Sequence, residues 1–130
     1  MGIKYLWDTN TVIYYLQRQF PASAEQFMDG ILKEYTTCLS AITEVELLCW
    51  KSATENDLVV LNNFIADSFV LELEADIKFT TANLRRTYKI KLPDAIIAAT
   101  ALANGLTLLT RNVADFQAIT ELSLINPWDK

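Results

Sequence analysis

Short apolar segments alternate with longer amphipathic segments along this chain, and this alternation limits the folds that it can adopt. The short segments are rich in β-branched and aromatic residues, which predicts strands, whereas the long ones repeat apolar residues at helical spacing. Strands are predicted at residues 3–7, 36–39, 69–73, 107–110 and 122–125. Helices are predicted from Asp8 to about residue 17 and at about 23–33, 41–51, 55–66, 75–88 and 93–103. Because the strands are apolar throughout, we expect an α/β fold with a central, mostly parallel sheet and helices on both faces.

The size and composition of the chain narrow the chemistry that it can perform. A length of 130 residues predicts one domain, residues 1–130. The chain contains no histidine, which excludes Ser-His-Asp hydrolysis, a histidine general base and histidine-ligated zinc. Its two cysteines, Cys38 and Cys49, are expected to be reduced core residues. No leader or membrane span is expected, because the apolar runs are too short, and this predicts a cytoplasmic protein.

Carboxylates fall just after predicted strands or at the starts of helices, which is where parallel α/β sheets bind ligands. Asp8 directly follows the first strand, and Asp94 lies in the first turn of the sixth helix. Asp115 follows the fourth strand, together with Thr110 and Asn112. Each also has an ordinary structural explanation, as a helix cap, a charge favoured by the helix dipole or an Asn/Asp turn.

The third predicted helix contributes a further carboxylate. At about 100° per residue, Glu46 falls inside an apolar arc that includes Ile42, Val45 and Leu48, whereas Glu44 falls towards the other side. A carboxylate among apolar side chains is unfavourable without a compensating cation, and no basic residue lies three or four positions away. We therefore expect Glu46 to need a metal or a buried cation and Glu44 to lie at the surface. Converging carboxylates without histidine suit Mg²⁺ or Mn²⁺.

Four stretches of the chain, residues 6–10, 40–47, 92–101 and 108–116, resemble the PIN-domain ribonucleases, and specifically the VapC toxins of VapBC toxin–antitoxin systems. The resemblance covers nearly the whole chain and implies a PIN-like three-layer fold. It also implies a Mg²⁺- or Mn²⁺-dependent endoribonuclease toxin that cleaves structured RNA, such as tRNA or rRNA, and inhibits translation. The implied partners are the RNA substrate, a second copy of the chain in a homodimer and a cognate VapB-type antitoxin that neutralises the toxin.

The resemblance also implies roles for particular residues. Three acidic metal ligands carry over to this sequence: Asp8, Glu46 and Asp94. The fourth acidic position of the family falls at Asn112 or at Asp115, and we expect Asp115 to lie near the metal. The expected supporting polar residues are Thr9, Asn10, Thr110 and Asn112.

The charge balance bears on nucleic-acid binding. A net charge of -5 argues against binding RNA over the whole surface. Several basic residues nevertheless cluster near the sixth helix, and a solvated helix face would explain them as well as an RNA contact would. The expected RNA-binding rim consists of Arg85, Arg86, Lys89, Lys91 and Arg111.

Three other functions compete with the nuclease. A haloacid dehalogenase-like phosphatase would share the start of its motif with Asp8, but Asn10 stands where that motif has its acidic general acid. A receiver-like signalling module would need a lysine after a late strand, where this chain has Arg111. An inactive PIN fold could serve as a protein-interaction module.

Overall fold

The computed structural model describes residues 2–130 and contains a five-stranded sheet. Its strands are β1 (Gly2–Trp7), β2 (Tyr35–Ser40), β3 (Phe69–Leu71), β4 (Thr107–Leu109) and β5 (Leu124–Ile125). The first four helices are α1 (Thr9–Leu16), α2 (Ala22–Glu34), α3 (Ala41–Leu48) and α4 (Glu55–Ala66). They are followed by α5 (Ala75–Thr87), α6 (Leu92–Asn104), α7 (Val113–Phe116) and a 3₁₀ turn (Pro127–Asp129).

The central strand of the sheet is β1. The strand order is β3-β2-β1-β4-β5, and every neighbouring pair is parallel, which confirms the predicted sheet. After β1 the chain builds β2 and β3 on one side, and it later places β4 and β5 on the other. Such a change of direction opens a crevice between the carboxyl ends of the two central strands, here β1 and β4. Asp8 follows β1 and Thr110 follows β4 at this crevice.

Both faces of the sheet are covered, because successive side chains of a strand point to opposite faces. Leu6 and Leu108 belong to a core that includes residues of α5, α6 and α7. Their neighbours Trp7 and Leu109 belong to a second core with residues of α1, α2, α3 and α4. The predicted three-layer arrangement with helices on both faces is therefore confirmed.

Some local predictions differ from the structure. Neither α7 nor the 3₁₀ turn is predicted from the sequence, and α3 ends at Leu48 rather than near residue 51. The prediction of two core cysteines is wrong for Cys49, which is exposed beyond the end of α3, whereas Cys38 is buried in β2. No helix within residues 2–130 is both long enough and apolar enough to cross a membrane.

Candidate metal centre

Asp8 is held at the point where β1 turns into α1. Its side chain is only 6% exposed, and its Oδ1 accepts a hydrogen bond of 2.8 Å from the backbone N–H of Thr11. Asp8 therefore caps α1, as its structural explanation predicts. The capping role does not exclude a second one, because a carboxylate offers two oxygens and about four acceptor sites.

The hydroxyl of Thr110 links the ends of β1 and β4. Thr110 is fully buried, its side chain is hydrogen-bonded to that of Asp8, and its Oγ1 accepts a hydrogen bond of 3.0 Å from the backbone N–H of Asn112. Since an ionised carboxylate can only accept, the Thr110 hydroxyl donates its proton to Asp8. Thr110 thus supports Asp8 directly, whereas Asn112 contributes a backbone contact and has an exposed side chain.

The surroundings of Asp8 disfavour its charged form. Burial raises the pKa of this carboxyl, and the hydrogen bonds from Thr110 and Thr11 lower it by less. The negative charge of Glu46 raises the pKa further. An ionised Asp8 at neutral pH is therefore under-stabilised by the protein alone, and a cation near it would relieve this.

Glu46 reaches the same region from α3. Its Oε1 accepts a hydrogen bond of 2.6 Å from the Oγ1 of Thr9, the residue after Asp8. Thr9 was expected to support Asp8, and its hydroxyl instead donates its hydrogen bond to Glu46. Asn10, the other supporting residue expected next to Asp8, is exposed.

The predicted orientation of α3 is wrong in part. Val45 and Leu48, which the helical wheel placed with Glu46 in a buried apolar arc, are 53% and 61% exposed. The buried side of α3 instead contains Thr43 and Leu47, so Glu46 lies at the edge of that side and is half-buried.

Glu44 is also half-buried rather than fully at the surface. The two glutamates lie on opposite flanks of the buried side, because they are about 200° apart on the helix. Glu46 nevertheless faces α1, as its contact with Thr9 shows.

Asp94 and Asp115 both line a cavity of about 320 Å³. Asp94 lies in the first turn of α6, and burial is the largest cause that raises the pKa of its carboxyl. The negative charges of Asp115, Glu46 and Asp8 raise this pKa further, in that order, while Lys91 lowers it. The charges of the other three predicted carboxylates therefore all influence Asp94. Among them, Asp115 has the greatest effect on its pKa.

The predicted basic rim is only partly gathered at this cavity. Lys89 and Lys91 line it together with Asp94 and Asp115. The remaining members make other contacts: Arg85 donates to the carbonyl of Ile90 at 2.7 Å, Arg86 donates to Asn83, and the guanidinium of Arg111 lies 4.8 Å from the ring centre of Trp128.

Two polar residues near Glu46 were not identified as site residues from the sequence. Ser40, which caps α3, and Thr43 are fully buried, and Ser40 Oγ donates a hydrogen bond of 3.0 Å to Thr43 Oγ1. Thr43 Oγ1 lies 3.3 Å from Thr9 Oγ1. The signal that could have found them is their spacing, because Ser40, Thr43 and Glu46 recur every three residues along the start of α3.

The donor set fits a hard divalent cation. The converging groups are carboxylates supported by threonine hydroxyls. Such oxygen ligands suit Mg²⁺ or Mn²⁺ rather than metals that prefer thiolate or imidazole ligands. Within residues 2–130, however, no three acidic or cysteine side chains lie close enough together to surround one ion directly. The fold therefore brings the carboxylates to one region without gathering them into a finished coordination sphere.

The fold and the site define a parallel α/β protein with a carboxylate pocket at the switch between its two central strands. The profile of the PIN domain family matches residues 5–122. The chain therefore belongs to the PIN domain family, and the resemblance noted in the sequence is confirmed.

Individual relatives agree with this assignment. The tRNA(fMet)-specific endonuclease VapC of Salmonella typhimurium is 31% identical over 125 residues, which cover 90% of this chain and 92% of that protein. Ribonuclease VapC2 of Rickettsia felis is 29% identical, over 97% of this chain and 98% of that protein. The crystal structure of VapBC2 from Rickettsia felis, bound to a promoter DNA fragment, matches with a TM-score of 0.80 and 26% identity. That match covers 95% of this chain and 98% of the other.

Proposed function

We propose that this chain is a VapC-type toxin, a Mg²⁺- or Mn²⁺-dependent endoribonuclease that cleaves structured RNA and is neutralised by a cognate VapB-type antitoxin. In this proposal residues 1–130 form one nuclease domain that acts in the cytoplasm, as a homodimer, on tRNA or rRNA. Support comes from relatives of nearly equal length that are named ribonuclease VapC2 and tRNA(fMet)-specific endonuclease VapC. Solved complexes of similar fold include a toxin–antitoxin complex from Klebsiella pneumoniae.

The observation that carries the proposal is the convergence of the other three carboxylates on Asp94. Three other acidic groups raise the pKa of Asp94, although they come from distant parts of the sequence. A protein gains no stability from such crowding of like charges, and functional sites are where carboxylates with perturbed pKa values concentrate. The proposed metal-holding residues are Asp8, Glu46, Asp94 and Asp115.

When bound, the divalent ion would supply Lewis-acid stabilisation of a phosphodiester and a more acidic water. The chain's own residues would perform the remaining tasks. The hydrogen bonds from Thr11 and Thr110 fix the orientation of the Asp8 carboxylate. Lys89 and Lys91, which line the same cavity as Asp94, would contact RNA phosphates through their ammonium groups.

This local positive charge explains how a protein with a net charge of -5 could bind RNA. The RNA would meet two lysines at the cavity rather than the average surface of the protein. A bound divalent ion would in addition offset part of the negative charge of the pocket. The acidic chain is thus compatible with a polyanionic substrate at this one place.

The nuclease proposal is tested by incubating the purified protein with tRNA and rRNA in Mg²⁺, in Mn²⁺ and in excess EDTA. We expect discrete cleavage products with either ion and intact RNA in EDTA. Intact RNA under all three conditions would instead support the inactive PIN fold. A phosphatase would hydrolyse a phosphate monoester such as p-nitrophenyl phosphate, and we expect no such turnover.

The antitoxin part of the proposal has a separate test. Expression of the chain in a bacterial host should stop growth, and co-expression of a small reading frame located directly upstream of its gene should restore growth. A host that grows equally well with and without the second frame would contradict the toxin assignment.

A further inference from the structure

We propose that the hydroxyl groups of Ser40, Thr43 and Thr9 form a hydrogen-bonded chain that orients Glu46, and that Thr43 is a positioning residue of the metal site. This inference rests on the proposed function, because it concerns how one of the proposed metal-holding carboxylates is held. It adds two residues, Ser40 and Thr43, that make no contact with the ion in the proposal.

The hydroxyl groups of this hydrogen-bonded chain follow one another without a gap. Ser40 Oγ lies 3.0 Å from Thr43 Oγ1, Thr43 Oγ1 lies 3.3 Å from Thr9 Oγ1, and Thr9 Oγ1 lies 2.6 Å from Glu46 Oε1. Ser40 and Thr43 are fully buried, whereas Thr9 and Glu46 are half-buried. The chain therefore starts in the protein interior and ends at the carboxylate.

The direction of the protons follows from the chemistry of the groups. A carboxylate only accepts, so the single hydroxyl proton of Thr9 goes to Glu46, across the shorter and charge-assisted contact. Thr9 also donates to Thr43 Oγ1 across the longer contact of 3.3 Å, so its one proton is shared unequally between Glu46 and Thr43. Ser40 in turn donates to Thr43, and its own oxygen accepts the backbone N–H of Thr43 at 3.1 Å. The Thr43 oxygen therefore accepts from both Ser40 and Thr9, which holds the Thr9 hydroxyl in place beside Glu46.

This arrangement matters because Glu46 gets little help from packing. It projects from the edge of α3, beside the exposed Val45. A free glutamate side chain loses rotamer entropy when it is fixed in one position, and this loss opposes an ordered ligand. The bond from Thr9 fixes one carboxylate oxygen, and Thr43 fixes the hydroxyl of Thr9.

The row of hydroxyl groups also links two proposed metal ligands, Asp8 and Glu46. Thr9 directly follows Asp8 at the start of α1, whereas Ser40 caps α3 and Thr43 and Glu46 lie within it. The contact between Thr9 and Thr43 therefore connects the two helices that carry Asp8 and Glu46. Groups that orient metal ligands typically contribute tenfold to hundredfold in metal affinity.

The test compares Thr43→Val with Thr43→Ser. Valine keeps the shape of threonine but replaces the hydroxyl with a methyl group, whereas serine keeps the hydroxyl. The measurement is the Kd of Mn²⁺ by titration calorimetry on the purified proteins without RNA, with Asp8→Asn as the variant that lacks a ligand. We expect Thr43→Val to bind Mn²⁺ about tenfold more weakly than wild type, and Thr43→Ser to bind within about twofold.

Two results would overturn the inference while the proposed function stands. In the first, wild type binds Mn²⁺, Asp8→Asn does not, and Thr43→Val binds as tightly as wild type. In the second, the valine and serine variants lose equal affinity and melt equally early in EDTA, which would make Thr43 a packing residue only. If wild type and Asp8→Asn bind Mn²⁺ equally, the metal site itself is wrong and the inference fails with it.

A second pair of variants guards against misfolding of Thr43→Val. Thr9 is only half-buried, so Thr9→Val should fold, and Thr9→Ser is its matched control. We expect the valine variant to lose about tenfold in Mn²⁺ affinity and the serine variant to recover it. Wild-type affinity in Thr9→Val would contradict the proposed chain.

Discussion

The carboxylates of Asp94 and Asp115 line the same cavity, and Asp115 is the acidic residue that most raises the pKa of Asp94. They come from different helices, α6 and α7. Asn112, the other candidate for this position, does not line that cavity and contacts Thr110 through its backbone N–H, and its side chain is exposed, as is that of Asp115. The geometry therefore favours Asp115 over Asn112 as the fourth acidic group of the site.

This relationship predicts different effects of two neighbouring substitutions. Asp115→Asn should reduce RNA cleavage by about tenfold or more, because it removes a negative charge beside Asp94. Asn112→Ala should keep most activity, since the backbone contact with Thr110 does not need the amide side chain. Rates of cleavage at saturating Mg²⁺ measure both effects. A larger loss in Asn112→Ala than in Asp115→Asn would reverse the assignment.

The two glutamates of α3 provide a matched pair for Glu46. Glu46→Gln should lose activity because an amide cannot supply the ligand charge, and Glu44→Gln should keep it. Both are half-buried, so a difference between them reflects direction and not burial. Cleavage rates and melting curves of both variants make the comparison. Equal tolerance of the two changes would show that Glu46 does not belong to the site.

The stability of Asp94→Asn should reveal the repulsion within the site. In EDTA at neutral pH, this variant should be more stable than wild type by about 1 kcal/mol, the usual size of a single-site effect. The reason is that burial and the neighbouring acidic groups disfavour the ionised form of Asp94. Thermal melts in EDTA give the difference, and a variant that melts below wild type would contradict it.

The same pair of proteins has a predicted pH dependence. The folded-state pKa of Asp94 is raised above its unfolded value, so the penalty is present at pH values above the folded pKa. It disappears as the pH falls through that pKa and the carboxyl becomes protonated. The stability gap between Asp94→Asn and wild type should therefore shrink in acid. A gap that widens as the pH falls would have the wrong sign.

Metal should affect these two proteins differently. Saturating Mg²⁺ or Mn²⁺ should raise the melting temperature of wild type, because a ligand bound only by the native state stabilises it by mass action. The rise should be much smaller for Asp94→Asn. If the ion shifts both proteins equally, Asp94 acts only as a charge favoured at the start of α6 and not as a ligand.

The two lysines at the cavity should affect RNA binding rather than metal binding. Removing both, in Lys89→Ala/Lys91→Ala, should raise KM for RNA. The slope of log binding constant against log salt concentration should fall in magnitude by about 2, which corresponds to two lost phosphate contacts. The Kd of Mn²⁺ should not rise in this double variant. Lys33→Ala, which removes an exposed charge from α2, is the control. An equal rise of KM in the control would indicate a general charge effect.

Much of the fold was predictable because its signals are local. The apolar strands Gly2–Trp7 and Tyr35–Ser40 are buried on both faces at their carboxyl ends, which is why their sequences carry no polar alternation there. Gly105 ends α6 with φ 62, a conformation that glycine adopts without strain. By contrast, α7 has only four residues, which is too few for a helical repeat to be visible in the sequence.

The site was less predictable, because its details depend on contacts between distant residues. Asp8, Asp94 and Asp115 are expected at the site from their positions after strands or at helix starts, and their assignment as metal ligands stays a prediction. Glu46 does contact Thr9 beside Asp8, but the apolar arc that singled it out has the exposed members Val45 and Leu48. Hydrophobicity alone does not tell which apolar face of a helix is covered. The role of Thr43 depends on Thr9, which is 34 positions away.

The most direct test of the proposed site is the rate of RNA cleavage by Asp8→Asn compared with wild type at saturating Mg²⁺. Asparagine can still cap α1, so the fold should be retained, and the far-ultraviolet spectrum and melting curve check this. We predict that wild type cleaves RNA, stops in EDTA and recovers when Mg²⁺ is added in excess, whereas Asp8→Asn does not cleave under any of these conditions. Cleavage by folded Asp8→Asn at the wild-type rate would contradict the assignment of this carboxylate pocket as the catalytic site.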